Sequence, residues 1–450
     1  MRFPDTFLWG SSTNAQQFEG GWNQGGKGVS IADVRKISFN MHTSSDFEDF
    51  KIASDHYGHM QEDIDLYGEM GFGIYRFTMA WTRIFPNGDD KTPNEEGLKF
   101  YSDMLDALEK HGISPVVTLY AYDMPQALVE KYNSWMSRQA IEDYLRYVET
   151  VVERFKGRVK YWVPFNEQNF LHMDSEYMTG YAAKNKLEIF KIDHHFNLAY
   201  ARATRLIHKI DPAAKVGGNV GQTCVYPNTC NPLDIEQADD GAFRLGYNYA
   251  DVYFRGTYTK RYLRSVAGED LSAIILPGDM DIIAKSEPDF FSTTYYSSAV
   301  ASAEAPFTLI GGKKLINPYT TQTEWGWTID PYGFLHMLED FYHRYQLPIL
   351  ILENGLGHRD ELEADGTVDD SYRIEYLRNH IRMMGRAIEN GVDIIGYLTW
   401  SATDLYSTRE GFVKRYGFVY VNKDNLQRTP KKSFYWYKKV IAGNGKDLEE

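Results

Sequence analysis

Cysteine is almost absent from this chain: Cys224 and Cys230 are the two that occur among 450 residues. A disulfide-stapled scaffold needs several cysteine pairs, and a structural zinc site needs a full tetrahedral set of ligands at tighter spacing. We therefore expect two free thiols, and neither a disulfide nor a metal site.

Long hydrophobic runs are absent as well. No stretch approaches the roughly 18 consecutive apolar residues of a transmembrane helix. The first residues, Met1–Asp5, lack the apolar segment of a secretory signal peptide. These absences predict no contact with a membrane interior and favour a cytoplasmic location.

Positive charge is in deficit, because 62 Asp and Glu face 48 Lys and Arg and give a formal net charge of −14. Such a balance disfavours nucleic acids and anionic membranes as partners. The chain also lacks low-complexity tracts, internal repeats and Pro/Gly/Ser-rich linkers, so we expect residues 1–450 to form a single domain. Nothing in the sequence predicts the oligomeric state.

What the chain does contain is a regular alternation of strand-like and helix-like segments, which predicts parallel βαβ units. The predicted helices include Glu96–Lys110, Ser137–Phe155 and Tyr372–Glu389. No Gly-rich phosphate fingerprint follows the first strand, which disfavours dinucleotide-binding and P-loop folds. The predicted fold class is therefore α/β, a single closed (β/α)8 TIM barrel. Its strands are predicted at Leu8–Ser12, Gly73–Trp81, Ser114–Tyr122, Lys160–Glu167, Lys215–Val220, Phe290–Tyr296, Pro348–Glu353 and Ile394–Trp400.

Two of these strands end in a glutamate with an asparagine beside it. Glu167 closes Tyr161-Trp162-Val163-Pro164-Phe165-Asn166-Glu167, and Glu353 closes Ile349-Leu350-Ile351-Leu352-Glu353 before Asn354. The carboxyl ends of barrel strands form the mouth where active sites lie. Two carboxylates at that mouth are typical of glycoside hydrolysis.

Further motifs follow one another in order along the chain. They are Phe7-Leu8-Trp9-Gly10-Ser11-Ser12, Gln17-Phe18-Glu19-Gly20, Tyr75-Arg76-Phe77, Tyr295-Tyr296, Asp370-x-x-Arg373-Ile374-x-Tyr376-Leu377 and Trp400. With the two glutamate motifs, they resemble family 1 of the glycoside hydrolases, the β-glucosidase and 6-phospho-β-glycosidase family, from Phe3 to about Leu448. The resemblance implies retaining hydrolysis of a β-glycoside, with no metal or organic cofactor.

The resemblance also assigns roles to single residues. Glu167 is expected to be the acid/base and Glu353 the nucleophile, with carboxyl groups about 5–5.5 Å apart. Arg76 and the hydroxyl of Tyr295 are expected to contact Glu353 and keep it ionised. Asn166 is expected to bind the 2-hydroxyl of the sugar. The expected sugar contacts further include a hydroxyl-binding amide, Gln17, and a stacking indole, Trp400.

The loop Asp404–Gly417 predicts a phosphorylated sugar. Family members that act on neutral sugars carry a Glu-Trp pair where this chain has Ser407-Thr408. A carboxylate there would repel a 6-phosphate, whereas a serine hydroxyl can donate to it. The spacing of Ser407, Lys414 and Tyr416 resembles the phosphate-binding signature of 6-phospho-β-glycosidases. Thr408, a small residue after the serine, favours a glucoside over a galactoside.

One motif departs from the family pattern. The third predicted strand ends in Ala121-Tyr122-Asp123, where the family usually offers a histidine that donates to the 3-hydroxyl. Alanine cannot donate, and a lost hydrogen bond costs about 1 kcal/mol, or about 3 if a polar group is stranded. Tyr120, a bound water, or Tyr122 as a candidate substrate-binding residue are the groups that could compensate. A sugar altered at C3 and a low activity are the other interpretations.

The sequence therefore predicts a 6-phospho-β-glucosidase acting on phosphorylated disaccharides or aryl glucosides. A β-glucosidase for unphosphorylated sugars is the first alternative, and a non-catalytic sugar-phosphate-binding barrel is the second. The aglycone cannot be identified, because its subsite is expected in variable loops such as Val225–Gln237 and Ala301–Lys313.

Overall fold

The computed structural model describes residues 3–35, 50–308, 314–408 and 410–449. Eight parallel strands close into a barrel in which each strand pairs with the next in sequence and the last with the first. The predicted (β/α)8 TIM-barrel class is confirmed. The barrel strands are β1 (Leu8–Ser12), β2 (Ile74–Thr78), β3 (Ser114–Thr118), β4 (Tyr161–Val163), β5 (Lys215–Gly221), β6 (Phe290–Tyr295), β7 (Ile349–Asn354) and β8 (Ile394–Trp400).

Side chains alternate between the two faces of each strand and so build two apolar layers. The inner layer fills the barrel and consists of Ile74, Val116, Tyr161, Val163, Phe290, Leu350, Leu352 and Leu398. A larger layer packs the outer strand faces against the helices. The filled interior leaves the carboxyl ends of the strands as the open mouth.

Helices connect the strands and cover the barrel. The α-helices are Ala15–Phe18, Ile31–Val34, His56–Met70, Trp81–Ile84, Glu95–Lys110, Gln126–Tyr132, Gln139–Arg154, Ser175–Thr179, Lys186–Ile210, Pro232–Ala242, Asn248–Arg255, Lys260–Leu263, Asp279–Ala284, Pro331–Tyr345, Ser371–Glu389 and Lys432–Ala442. Short 3-10 segments are Ser134–Met136, Gln168–His172 and Arg264–Val266, and a π-helical turn is Phe243–Tyr247. No helix among the described residues is long and apolar enough to cross a membrane.

Several strands end earlier than predicted, and the residues beyond them form the mouth. β4 ends at Val163 because Pro164 has no N–H to donate to a neighbouring strand. The chain then turns through Glu167, whose φ is +44°, into the 3-10 segment Gln168–His172. β3 ends at Thr118, and Tyr122 beyond it has a φ of +64°.

β7 contains an irregularity that aims Glu353. Leu350 and Leu352 both face the barrel interior, so strict alternation would turn Glu353 away from the mouth. The pairing of β7 with β6 shifts register between Ile351 and Glu353, which indicates a bulge. Bulges re-aim side chains beside active sites, and Glu353 lines the cavity at the mouth.

Small two-stranded sheets lie outside the barrel. They pair Cys224–Pro227 with Ser298–Ala301, Thr321–Gln322 with Thr328–Ile329, and Val419–Val421 with Arg428–Pro430. Of the predicted aglycone loop Ala301–Lys313, residues 309–313 lie outside the described residues, and Pro306, Phe307 and Thr308 line the cavity. Residues 225–237, the other predicted loop, are not among the described residues that line it.

Candidate active site

A cavity of about 520 Å³ opens at the mouth of the barrel. Its volume lies within the range of about 300–1,000 Å³ typical of small-molecule sites. Both glutamates line it, with several of the predicted sugar-binding residues. The predicted residues on its wall are Gln17, Tyr122, Asn166, Glu167, Glu353, Trp400 and Tyr416.

Glu353 is held by one cation and one hydroxyl. Arg76 on β2 is fully buried and donates from Nη1 to Glu353 Oε1 at 2.8 Å. The hydroxyl of Tyr296 donates to Glu353 Oε2 at 2.5 Å. Burial raises the pKa of Glu353, and the Arg76 charge and the Tyr296 hydrogen bond oppose that rise.

The prediction that the Tyr295 hydroxyl contacts Glu353 is wrong. Tyr295 is the last residue of β6 and faces outward, where its hydroxyl donates to the carbonyl oxygen of Asp330 at 2.8 Å. Its ring packs against Phe334 in the helical layer. Because side chains alternate along a strand, the next residue, Tyr296, faces the mouth.

Glu167 is held by neutral donors. Its Oε1 accepts from the hydroxyl of Thr294 on β6, and its Oε2 accepts from the hydroxyl of Tyr122 at 2.8 Å. Its backbone N–H donates to Asn219 Oδ1 at 2.9 Å, which anchors the turn after β4. Burial and the negative charge of Glu353 raise the pKa of Glu167 to about 7, against the hydrogen bonds from Thr294 and Tyr122.

The two carboxyl groups therefore have different surroundings in one cavity. Glu353 contacts a permanent positive charge and is the group that ionises first. The pKa of about 7 lets Glu167 retain its proton to near-neutral pH, because burial and then the ionised Glu353 disfavour a second negative charge in the cavity. One ionised and one protonated carboxyl are what a retaining glycosidase requires.

Asn166 lies between these groups. Its Oδ1 accepts from Arg76 Nη2 at 2.5 Å, and its Nδ2 donates to the Tyr122 hydroxyl at 2.9 Å. A weaker contact of 3.3 Å joins Nδ2 to Glu167 Oε2. The Asn166 side chain lines the cavity and is held in place before a ligand arrives.

Gln17 and Trp400 lie on the wall formed by β1, β8 and the loops that follow them. Gln17 Nε2 donates to the carbonyl oxygen of Tyr406 at 3.0 Å. Trp400, the last residue of β8, packs with Phe18 and Tyr416. An indole in this position offers an apolar face to a sugar.

The structure separates the predicted phosphate-binding residues into one on the cavity wall and two beside it. Tyr416 lines the cavity, while Ser407 and Lys414 are buried and are not among the described residues that line it. Lys414 Nζ lies 3.7 Å from the ring centroid of Trp327, which does line the cavity. Ser407 Oγ accepts from the backbone N–H of Glu410 at 3.3 Å.

Ala121 is buried and is not one of the described residues on the cavity wall. Its backbone N–H donates to Asp123 Oδ1 at 3.3 Å, and burial raises the pKa of Asp123 to about 7. The neighbouring Tyr122 does reach the cavity. The segment after β3 therefore contributes the phenol of Tyr122 to the site.

The sequence prediction missed one contact of Glu353 and one contact of Glu167. Tyr296 was quoted as part of the Tyr295-Tyr296 motif, but the hydroxyl was assigned to its neighbour. No contact between Thr294 and Glu167 was predicted. Period-2 alternation places Thr294 and Tyr296 on the same side of β6 as the inward-facing Phe290, but the adjacent Phe290 and Phe291 gave no sequence signal for which side is inward. Among the described residues, no group of three or more His, Cys, Asp and Glu side chains could hold a metal ion.

The chain is similar to several known proteins over nearly its whole length. The aryl-phospho-beta-D-glucosidase BglH of Bacillus subtilis (strain 168) is 41% identical over 467 residues, covering 99% of each chain. The 6-phospho-beta-glucosidase of Clostridium longisporum is 42% identical, covering 100% of this chain and 99% of that one. Among solved structures, the psychrophilic beta-glucosidase BglU from Micrococcus antarcticus matches with a TM-score of 0.90 and 32% identity, covering 99% of this chain and 98% of that one. The family described as Glycosyl hydrolase family 1 matches residues 1–446, and this chain belongs to that family.

Proposed function

We propose that this protein is a retaining 6-phospho-β-glucosidase that hydrolyses phosphorylated β-glucosides. The activity rests on the two carboxyl groups that share the barrel mouth in opposite surroundings, Arg76 beside Glu353 and neutral donors beside Glu167. The phosphate preference rests on the loop after β8. Relatives at about 40% identity carry names of phospho-β-glucosidases, which supports the same substrate class.

In the first step Glu353 attacks the anomeric carbon while Glu167 gives its proton to the departing glycosidic oxygen. The C1–O bond breaks as a C1–Oε bond to Glu353 forms, which leaves a glycosyl-enzyme and a free aglycone. Arg76 and Tyr296 keep Glu353 ionised and aimed before the attack. Burial and the charge of Glu353 keep Glu167 protonated until the leaving group needs the proton.

In the second step water displaces Glu353 from the anomeric carbon. Esterification has removed the negative charge of Glu353, so that charge no longer opposes an ionised Glu167, and Glu167 acts as the base. Glu167 takes a proton from water, the new C1–O bond forms, and the carboxylate of Glu353 is restored. Two inversions at C1 give overall retention.

The part of the loop after β8 that reaches the cavity supports the proposal that the substrate carries a phosphate. Thr408 and Tyr416 line the wall there, and the acidic side chains on the described part of the wall are Asp174, Glu167 and Glu353, none of them from this loop. Lys414 brings a positive charge behind Trp327. We propose that Ser407, Lys414 and Tyr416 bind the 6-phosphate, with Lys414 or Trp327 adjusting as the ligand enters. Gln17, Trp400 and Asn166 would contact the sugar hydroxyls and ring.

A phosphorylated substrate also supports the predicted cytoplasmic location. A sugar phosphate carries between about one and two negative charges near neutral pH and does not diffuse through a hydrocarbon layer. An enzyme that acts on it has to meet it where it is made or released inside the cell.

The test compares kcat/KM on 4-nitrophenyl β-D-glucoside with and without a 6-phosphate. We expect a preference of about a hundredfold or more for the phosphorylated substrate, equal to about 2.7 kcal/mol in the transition state. Lys414→Met should reduce that preference at least tenfold while changing turnover of the neutral glucoside little.

The matched control is Lys432→Met, which removes an exposed lysine whose Nζ contacts Ser371 and Asp369, and none of these three is among the described residues that line the cavity. It should leave the preference unchanged. Equal rates on the two glucosides in the wild-type protein would refute the phosphate assignment and leave a β-glucosidase for neutral sugars. Tight product binding without turnover of either substrate would favour the non-catalytic barrel.

A further inference from the structure

Tyr122, in the segment after β3, has an unusual backbone conformation. Its backbone is left-handed, with a φ of +64°, and its carbonyl oxygen accepts from Arg35 Nη2 at 2.7 Å. A left-handed conformation is uncommon for a bulky side chain and persists where surrounding contacts hold it. Here it brings the phenol to the cavity wall, in contact with Glu167.

The hydrogen bonds around the phenol fix the direction of its proton. Asn166 Nδ2 donates to the Tyr122 oxygen at 2.9 Å, and the amide itself is oriented because its Oδ1 accepts from Arg76. The phenol therefore accepts on one side and donates on the other, to Glu167 Oε2 at 2.8 Å. A continuous series of hydrogen bonds runs from Glu353 through Arg76, Asn166 and Tyr122 to Glu167.

We propose that Tyr122 is a catalytic residue of this enzyme, which donates a hydrogen bond to the acid/base Glu167 throughout the reaction. This inference rests on the proposed role of Glu167. The phenol proton is not transferred. When Glu167 releases its proton to the glycosidic oxygen, the carboxylate that forms already has a donor at Oε2 and does not have to recruit one.

The same contact serves the second step. Glu167 is then ionised and takes a proton from the attacking water, while the Tyr122 hydrogen bond steadies the carboxylate until that proton arrives. A neutral donor suits both steps, because it stabilises the carboxylate less than a cation would and leaves it basic enough to deprotonate water.

The sequence shows a related change at the preceding position, where Ala121 replaces the histidine that is usual in the family. Ala121 offers no donor to the cavity, and the phenol of its neighbour contacts the acid/base instead. Thr294 supplies the other neutral donor, on Glu167 Oε1. Glu167 thus has a hydroxyl on each oxygen, one from β6 and one from the segment after β3.

The electrostatic surroundings of Glu167 allow the effect of the phenol to be isolated. Burial and Glu353 raise the pKa of Glu167, and the hydrogen bonds from Thr294 and Tyr122 and the charge of Arg76 lower it. Among the described residues, the titratable and charged groups that act on Glu167 or share its cavity are Arg76, Tyr122, Asp174, Tyr177, Tyr296, Lys314, Glu353 and Tyr416. Removing one phenolic hydroxyl changes none of the fully charged groups.

The experiment measures kcat/KM against pH for the wild-type protein and Tyr122→Phe, on 4-nitrophenyl β-D-glucoside 6-phosphate or on the neutral glucoside if that is the better substrate. The basic limb reports the free-enzyme group that must be protonated. Losing a donor to a carboxylate raises that group's pKa, so the basic limb should move up by about one pH unit in Tyr122→Phe. The phosphate of the substrate titrates identically with both proteins.

The matched control is Tyr120→Phe, because Tyr120 is also buried at this strand end but donates to the carbonyl oxygen of Met178 and not to Glu167. Its basic limb should stay in place. An unmoved or lowered limb in Tyr122→Phe overturns the proposal, even if the rate falls, because a role in packing or in sugar contact would not raise the pKa of Glu167.

Two further measurements distinguish a failure of the Tyr122 proposal from a failure of the proposed function. In Glu167→Gln the basic limb should disappear, and its persistence would show that Glu167 is not the acid and would overturn the proposed function instead. Direct titration of the Glu167 carboxyl by ¹³C NMR in glutamate-labelled protein gives the same comparison without turnover. It should show a higher pKa in Tyr122→Phe than in the wild-type protein, and equal values would overturn the proposal.

Discussion

Two adjacent tyrosines provide a sharp test of how Glu353 is kept ionised. Tyr296→Phe removes a hydroxyl that donates to Glu353 Oε2 at 2.5 Å. Tyr295→Phe removes a hydroxyl that donates to the carbonyl oxygen of Asp330 at 2.8 Å, behind the strand. The two variants delete the same atom from neighbouring residues, so differences between them measure contact with Glu353.

The magnitude follows from the charge on the acceptor. A hydrogen bond to a charged group contributes about 1.5–3 kcal/mol, whereas one to a neutral carbonyl contributes about 0.5–1.5 kcal/mol. Loss of the Tyr296 donor should raise the pKa of Glu353 by about one unit or more, since one unit corresponds to about 1.4 kcal/mol. Activity requires ionised Glu353 and is lost as pH falls through its pKa, so the acidic limb of kcat/KM should move to higher pH.

The assay is the pH profile of kcat/KM together with thermal unfolding. Tyr296→Phe should show the displaced acidic limb and a kcat reduced about tenfold or more. Tyr295→Phe should keep the wild-type profile and lose about 1 kcal/mol of stability, seen as a lower Tm. An acidic limb that moves equally in both variants, or in Tyr295→Phe alone, would refute the assignment of the donor to Tyr296.

Two further perturbations test the nucleophile and the buried ion pairs. Glu353→Gly should lower kcat by at least about 10⁴-fold. Added azide should restore turnover, with an α-glycosyl azide as the product identified by NMR. A β-glycosyl azide would contradict the role of Glu353 as nucleophile. Although burial raises its pKa, the charges of Lys431 and Arg373 hold the pKa of Asp360 at about 2. Since this lies below the unfolded value of about 3.9, its stabilising contribution is present above pH ~4 and lost as pH falls toward ~2. Asp360→Asn should therefore lower Tm at pH ~6 and flatten the fall of Tm below pH ~4 in calorimetry.

The barrel could be predicted from the sequence because its strands are short hydrophobic runs bounded by polar residues. β1 and β8 were predicted with the bounds that the structure has, Leu8–Ser12 and Ile394–Trp400. β4 was predicted too long, since the hydrophobic run Tyr161–Phe165 continues through Pro164 although the strand pairing does not. Hydrophobicity persists where the chain packs into the mouth, so it overestimates the strand ends.

The orientation of individual side chains at the mouth was less predictable. The predicted strand Phe290–Tyr296 ran one residue past the observed end, and the family motif gave two adjacent tyrosines with no indication of which faces inward. The orientation of the Glu353 side chain depends on a bulge between Ile351 and Glu353, and no local sequence signal indicates that bulge. These features arise from pairing with neighbouring strands, and a single sequence does not contain that information directly.

The loop Asp404–Gly417 shows a different limit of prediction from sequence. Residue types and spacing placed a serine, a lysine and a tyrosine near one another, and Lys414 and Tyr416 do lie together, with Lys414 Nζ 5.5 Å from the Tyr416 ring. The spacing did not reveal that Trp327, from a segment far away in sequence, contacts Lys414 at the cavity wall. Which side chain faces the ligand is decided by such tertiary contacts.

The division of labour between the two glutamates follows from the position of one arginine. Both carboxyl side chains are almost fully buried, with 7% of Glu167 and 4% of Glu353 exposed, so burial raises both pKa values and cannot distinguish them. Arg76 distinguishes them, because its guanidinium forms an ion pair with Glu353, whereas its hydrogen bonds connect it to Glu167 through neutral side chains and its charge lowers the pKa of Glu167 less than burial raises it. Arg76 faces the barrel interior since it lies two residues beyond the inward-facing Ile74 on β2. In the proposed mechanism, strand alternation on β2 thus determines which glutamate is the acid and which the nucleophile, and the two glutamate motifs do not have to differ.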